Sequence, residues 1–231
     1  MFSLTKSFNF LLAFLLILAS SCKKEVEQKI EQPFSPKVFG QSESFSYVLI
    51  KNVDQTKVGE SNITVEKLDS GDLKICEDIS QSEVILDGKT LKAKTSHMIV
   101  KTPQGTYDVT DTFVGDSVFV SAQTPQGEQK ARLKLPSNTY HNNALLMLIR
   151  GMDFKVGNSI SFNNFSPYNS TTIKMVVKVI GEEKVSVPAG DFDTYHVKLD
   201  FGTITQDAWY EKDAPHRMIK YDNGKLQYRL K

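Results

Sequence analysis

Ala144-Leu145-Leu146-Met147-Leu148-Ile149-Arg150 is the stretch that decides how this chain folds. Asn142 or Asn143 before it offers a capping side chain, and Gly151 after it stands where a left-handed terminator belongs. The spacing predicts a short helix that is apolar on every side. Such a helix has no polar face to show to water, so it has to be covered all round. The cover that suits it is the concave side of a curved sheet. The alternative is an exposed lid or an element that touches a membrane.

On both sides of that helix the chain reads as strand after strand. Phe45, Tyr47 and Leu49 alternate with Ser44, Ser46 and Val48, the period of two expected of a sheet with one face inward. Ile63-Thr64-Val65 and Leu73-Lys74-Ile75 flank Asp69-Ser70-Gly71-Asp72, a hairpin turn by residue type. Asp87-Gly88 reads as a two-residue turn with both positions at positive φ. Thr102-Pro103-Gln104-Gly105 recurs as Thr124-Pro125-Gln126-Gly127, and Gly115-Asp116 between them supplies one more reversal. Beyond Gly157 the runs Ile160 to Phe162, Thr171 to Ile180, Val185 to Val187, Phe192 to Leu199 and Ile204 to Tyr210 follow. The run Met218 to Leu230 is split by the turn Asn223-Gly224. About a dozen strands in one domain expose vulnerable edges unless the sheet curls strongly or closes. The expected fold class is mainly β: a strongly curved antiparallel sheet, an open or partly closed barrel, with one buried apolar helix.

The N-terminal segment predicts where the domain resides. Lys6 precedes an apolar run from Phe8 to Ala19 broken only by Asn9, and Ala19-Ser20-Ser21 leads into Cys22. That order is a secretory signal, and small residues directly before a cysteine mark its lipoprotein form. The motif is imperfect, because Ala19 stands where leucine is commonest. Ordinary secretion with a free cysteine is the competing reading. The run is too short for a membrane-spanning helix, which needs about 20 residues. Residues 1–21 are therefore expected as a lipoprotein signal peptide with lipidation at Cys22. Residues 22–42 are expected as a flexible tether, since Lys23, Lys24, Glu25, Glu27, Lys29 and Glu31 are densely charged and Pro33 and Pro36 break helices. Residues 43–231 are expected as a single antiparallel β domain. The charged run after Cys22 is either a solvated spacer or an export signal for surface display. The expected location is the bacterial cell envelope, with the outer membrane favoured because Lys23 is not the aspartate that retains some lipoproteins at the inner membrane.

Charge and motif content exclude several function classes. Lysine plus arginine number 28 against 27 aspartate plus glutamate, so no basic excess exists to neutralise phosphates and nucleic acid is not an expected partner. Acylation of Cys22 leaves Cys76 alone, a half-buried or surface strand thiol by its pattern. His97, His141, His196 and His216 lie far apart and show no metal-ligand spacing. No nucleophile elbow, phosphate-binding loop or dinucleotide fingerprint occurs, so neither a cofactor nor catalysis is expected. Asp191 and Asp193 flank Phe192 at a turn, where capping accounts for them. His141 and Asp153 stand at opposite ends of the helix, about 15 Å apart by its rise.

Val187-Pro188-Ala189-Gly190-Asp191-Phe192, followed by Trp209-Tyr210 and by Pro215 to Tyr221, resembles the C-terminal half of a bacterial family of periplasmic proteins and lipoproteins classed as a domain of unknown function. The pattern in that family is V-P-A-G-x-F, a W-Y pair, then a strand leading through a hairpin. The resemblance extends over roughly residues 130 to 231, and it implies distant kinship with the curved-sheet lipoprotein carriers of the cell envelope. From the residues themselves, the expected function is a non-catalytic binding or scaffold module with a hydrophobic interior. Leu145, Leu146, Leu148 and Ile149 are the candidate lining for a lipid or other apolar ligand, and a filled core without a cavity is the bland alternative. The other function class is an envelope assembly component recognised by a protein partner through a sheet edge or the tether.

Overall fold

The computed structural model describes residues 32–231. The expected signal peptide, Cys22 and residues 23–31 of the expected tether lie outside the described residues. Fifteen strands follow: β1 (Ser42–Lys51), β2 (Lys57–Lys67), β3 (Leu73–Glu77), β4 (Ser82–Leu86), β5 (Ala93–Thr102), β6 (Gly105–Val114), β7 (Ser117–Thr124), β8 (Gly127–Lys134), β9 (Thr139–His141), β10 (Ser159–Ser166), β11 (Thr171–Val187), β12 (Gly190–Asp200), β13 (Thr205–Glu211), β14 (Met218–Asp222) and β15 (Leu226–Leu230).

All of them belong to one sheet, in the order β8-β7-β6-β5-β4-β3-β2-β1-β15-β14-β13-β12-β11-β10-β9. Neighbours are antiparallel except β9, which runs parallel to β10. The chain therefore makes two meanders that meet where β1 pairs with β15, Leu49 opposite Tyr228. The two edges, β8 and β9, are joined by residues 135–138 alone. Five Cα steps reach at most about 18 Å when extended. The sheet has to roll until its edges face each other across a narrow seam. Leu135 N–H donates to the Asp116 carbonyl on one side at 2.7 Å, and Asn163 N–H donates to Asn138 on the other at 3.0 Å. Register shifts at Leu49/Ile50, Ile85/Leu86, Val179/Gly181 and Trp209/Tyr210 supply the bends such curling needs. The result is a partly closed barrel, the mainly β architecture expected.

Inward residues alternate as the pattern requires. Phe45, Tyr47 and Leu49 on β1, Ile63 and Val65 on β2, and Met175, Val177 and Val179 on β11 are all buried. The two Thr-Pro-Gln-Gly copies close the β5–β6 and β7–β8 hairpins, Thr102 opposite Gly105 and Thr124 opposite Gly127. Asp87-Gly88 departs from expectation. The link from β4 to β5 is a longer loop in which Leu91, at φ +58°, takes the left-handed conformation. Gly88 is required because a Cβ there would sit 1.7 Å from the Gly71 carbonyl oxygen.

The helix is built from a single α turn, α1 (Leu145–Leu148), flanked by 3-10 turns at Asn142–Ala144 and Ile149–Gly151. Its cap is His141, whose Nδ1 accepts from Asn143 N–H at 3.2 Å, and neither Asn142 nor Asn143 plays that part. Gly151 does not end it in a left-handed conformation. A Cβ at Gly151 would meet the Ser35 backbone at 2.5 Å, so close passage of another segment explains the glycine. Leu145, Met147, Leu148 and Ile149 are buried inside the sheet, and Leu146 is half-buried. Arg150 is buried too, donating to Glu43 Oε2 at 2.6 Å and to the Pro215 carbonyl at 3.2 Å.

The flexible tether expected through residue 42 is corrected at its C-terminal part. Phe34 and Phe39 are buried in the main core. Phe34 packs edge-on against Tyr140 and Phe162, with centroids 5.0 and 5.2 Å away, and Ser35 N–H donates to Gly151 at 2.7 Å. Two aromatic side chains pin the segment, which makes one 3-10 turn at Pro36–Val38 with the proline at its first position and joins no strand.

Candidate functional site

The helical segment borders a pocket of about 300 Å³ between it and the inner faces of β2, β3, β14 and β15. Its apolar wall is Ile63, Leu145, Leu146, Met147 and Phe201. Of the four leucine and isoleucine positions expected as ligand lining, Leu145 and Leu146 lie on this wall. Leu148 and Ile149 do not; both are fully buried in packed core and offer no surface to a ligand. The inward-facing interior around them is filled by side chains of the main cluster.

The rim of the pocket is polar. Glu77 follows Leu73 and Ile75 in the inward parity of β3, and its carboxylate accepts from Ser61 Oγ at 3.1 Å and Ser80 Oγ at 2.7 Å. Tyr221 donates its hydroxyl to Gln206 Oε1. Burial first, and the Glu77 charge second, push the Tyr221 and Tyr228 phenols well above the usual tyrosine range. Both stay protonated donors at neutral pH. An apolar wall beside phenols and one carboxylate fits a small molecule with an apolar body and a polar end. Glu77 was readable in the alternation of β3, whereas its nearness to Tyr228 depends on the β1–β15 pairing, which no local signal announces.

The histidines find partners that spacing could not show. His97 pairs across strands with Asp108 at 2.8 Å, and His196 stands between Asp207 at 2.8 Å and Glu183 at 3.1 Å while stacking on Trp209 at 4.6 Å. Trp209 thus faces outward but is covered, and Tyr210 faces inward, donating to the Leu146 carbonyl at 2.9 Å. His141 joins the residue types of nucleophilic catalysis: its Nε2 lies 3.0 Å from Ser96 Oγ, which donates to Asp111 Oδ2 at 2.7 Å. The wiring is not catalytic. His141 Nδ1 is occupied as an acceptor, so Nε2 bears the proton and donates to the serine instead of receiving from it. All three residues are buried in the core. Cys76 is a free, half-buried thiol on β3, and burial pushes its pKa up. Among the described residues, no group of three or more His, Cys, Asp or Glu side chains is placed to hold a metal.

A family model described as "Protein of unknown function (DUF3108)" matches residues 53–231. Among solved structures, the chain is similar to a beta-barrel-like protein of domain of unknown function DUF1849 from Brucella abortus. Identity is 10%, the TM-score is 0.49, and 81% of this chain and 94% of that chain are covered. Comparison with curated proteins gives no match.

Proposed function

We propose, for a chain that belongs to the DUF3108 family of proteins of unknown function, a role as a lipid-anchored envelope module that binds a small amphiphilic molecule without transforming it. The observation that carries this reading is the pocket against α1, where Leu145 and Leu146 meet open space beside the phenols of Tyr221 and Tyr228. At about 300 Å³ it stands at the small end of ligand pockets, which span roughly 300–1,000 Å³. It suits one short chain or ring, and the diacyl body of a whole lipid is too large. Acylation at Cys22 would hold the module at the membrane, since each buried CH₂ adds about 0.8 kcal/mol and several chains act together.

N-phenyl-1-naphthylamine, an uncharged apolar fluorophore, tests the pocket. It should bind saturably to the wild type and at least tenfold more weakly to Leu146→Trp, whose indole fills the space. No saturable signal, or equal binding by the variant, would overturn the ligand reading. The anchor has its own measurement: Cys22→Ala should move the protein from the membrane to the soluble fraction on cell fractionation. Unchanged membrane association would refute lipidation.

A further inference from the structure

A second opening lies at the seam, bounded by the β4–β5 loop, the β6–β7 turn and residues 135–138. Its volume is about 480 Å³. Phe113, Leu135 and Pro136 give it apolar walls, and Lys92 is its half-buried cation. The Lys92 ammonium donates to the Thr139 carbonyl at 3.0 Å and to Asn138 Oδ1 at 3.4 Å, and it lies 3.5 Å above the Tyr140 ring. These partners are neutral. Among the described residues, no carboxylate pairs with Lys92. The other charges on the cleft, Lys134 and Asp116, satisfy each other at 3.4 Å. His141 lines the inner wall with Nε2 engaged by Ser96, and Tyr140 remains a phenol pushed up to about 12 by burial.

Two of the three N–H donors of the ammonium meet neutral oxygens and the third faces the Tyr140 ring, so none of them meets a counter-charge. Burial without a counter-charge disfavours the charged form, which pulls the Lys92 pKa down to about 8. An arriving anion removes that penalty. One uncompensated positive charge balances a monoanion, whereas a phosphate dianion would bring excess negative charge beside Asp116. The three apolar walls favour a hydrocarbon body attached to that charge.

We propose that the seam cleft is a binding site for a monocarboxylate with a short apolar chain, its carboxylate paired with the Lys92 ammonium and its chain against Phe113, Leu135 and Pro136. This site is separate from the pocket at α1. Octanoate is the probe, titrated calorimetrically into the full-length protein, with octanol and octyl phosphate as controls. Octanoate should bind at one saturable site, Lys92→Met should weaken it tenfold or more, and Lys92→Arg should keep it within a few-fold. Octanol, which lacks the charge, and octyl phosphate, which carries too much, should bind at least tenfold more weakly. Wild-type affinity should fall as pH rises above about 8, because the ammonium is lost there and not near the ordinary lysine value. Leu146→Trp should leave octanoate binding unchanged. Non-saturable heat, equal binding by Lys92→Met, or affinity constant from pH 7 to 10 would overturn the proposal. Should Lys92→Met fail to fold, the wild-type pH profile decides alone.

Discussion

A phenol removed from water is a weaker acid than one on the surface, and five of the eight tyrosines of this chain are in that position. Burial is the leading cause at Tyr47, Tyr140, Tyr210, Tyr221 and Tyr228, and Tyr140 is pushed up to about 12. In the unfolded chain a tyrosine ionises near pH 10. Above that pH the unfolded state releases protons that the folded state retains, so stability is full below pH 10 and declines as pH rises toward 12. Absorbance at 295 nm followed together with circular dichroism checks this. Five-eighths of the tyrosinate signal should appear only as the sheet signal is lost, and complete ionisation near pH 10 with the sheet intact would contradict it. The glycines teach a different lesson at this scale. Gly88 and Gly151 looked like turn and terminator, yet both are required because another stretch of backbone passes within contact distance. A missing side chain signals either cause, and sequence alone does not separate them.

At the scale of elements, what was legible follows from period and turn chemistry. Alternation on β1, β2 and β11 marked the inward faces, and the paired Thr-Pro-Gln-Gly turns marked four strands. The all-apolar stretch before Arg150 demanded cover and received it. The segment before β1 was misread because dense charge and two prolines surround Phe34 and Phe39, and composition outweighed two aromatic residues. Phe34 is among the fully buried side chains, so Phe34→Ala should cost about 3–5 kcal/mol. A denaturant midpoint unchanged by that substitution would show the segment to be undocked. The edge strand β8 carries Glu128, Lys130, Arg132 and Lys134 at alternate positions, and nearly all its residues are exposed. Such alternating charge guards an unpaired edge against casual strand addition, so a protein partner entering there would need a matching charge pattern. The two candidate ligand sites were largely illegible. Lys92 and Thr139, or Glu77 and Tyr228, meet only after the sheet has curled, and neither member of a pair announces the other along the chain.

For the whole molecule, strand order matters more than strand count. Eight strands are laid down outward from β1, the chain crosses the seam in four residues, and the rest return until β15 lies beside β1. The first and last strands are therefore neighbours at the middle of the sheet, and the middle of the sequence forms its borders. Contacts between positions as distant as Tyr47 and Leu230 complete the barrel, the long-range kind of pairing that forms slowly. Synthesis runs from one end to the other, so the keystone of this arch, β15, emerges after every other strand of the sheet. Cutting away Leu226 to Lys231 would not shave a margin; it would cleave the wall down its centre and leave two unsupported halves.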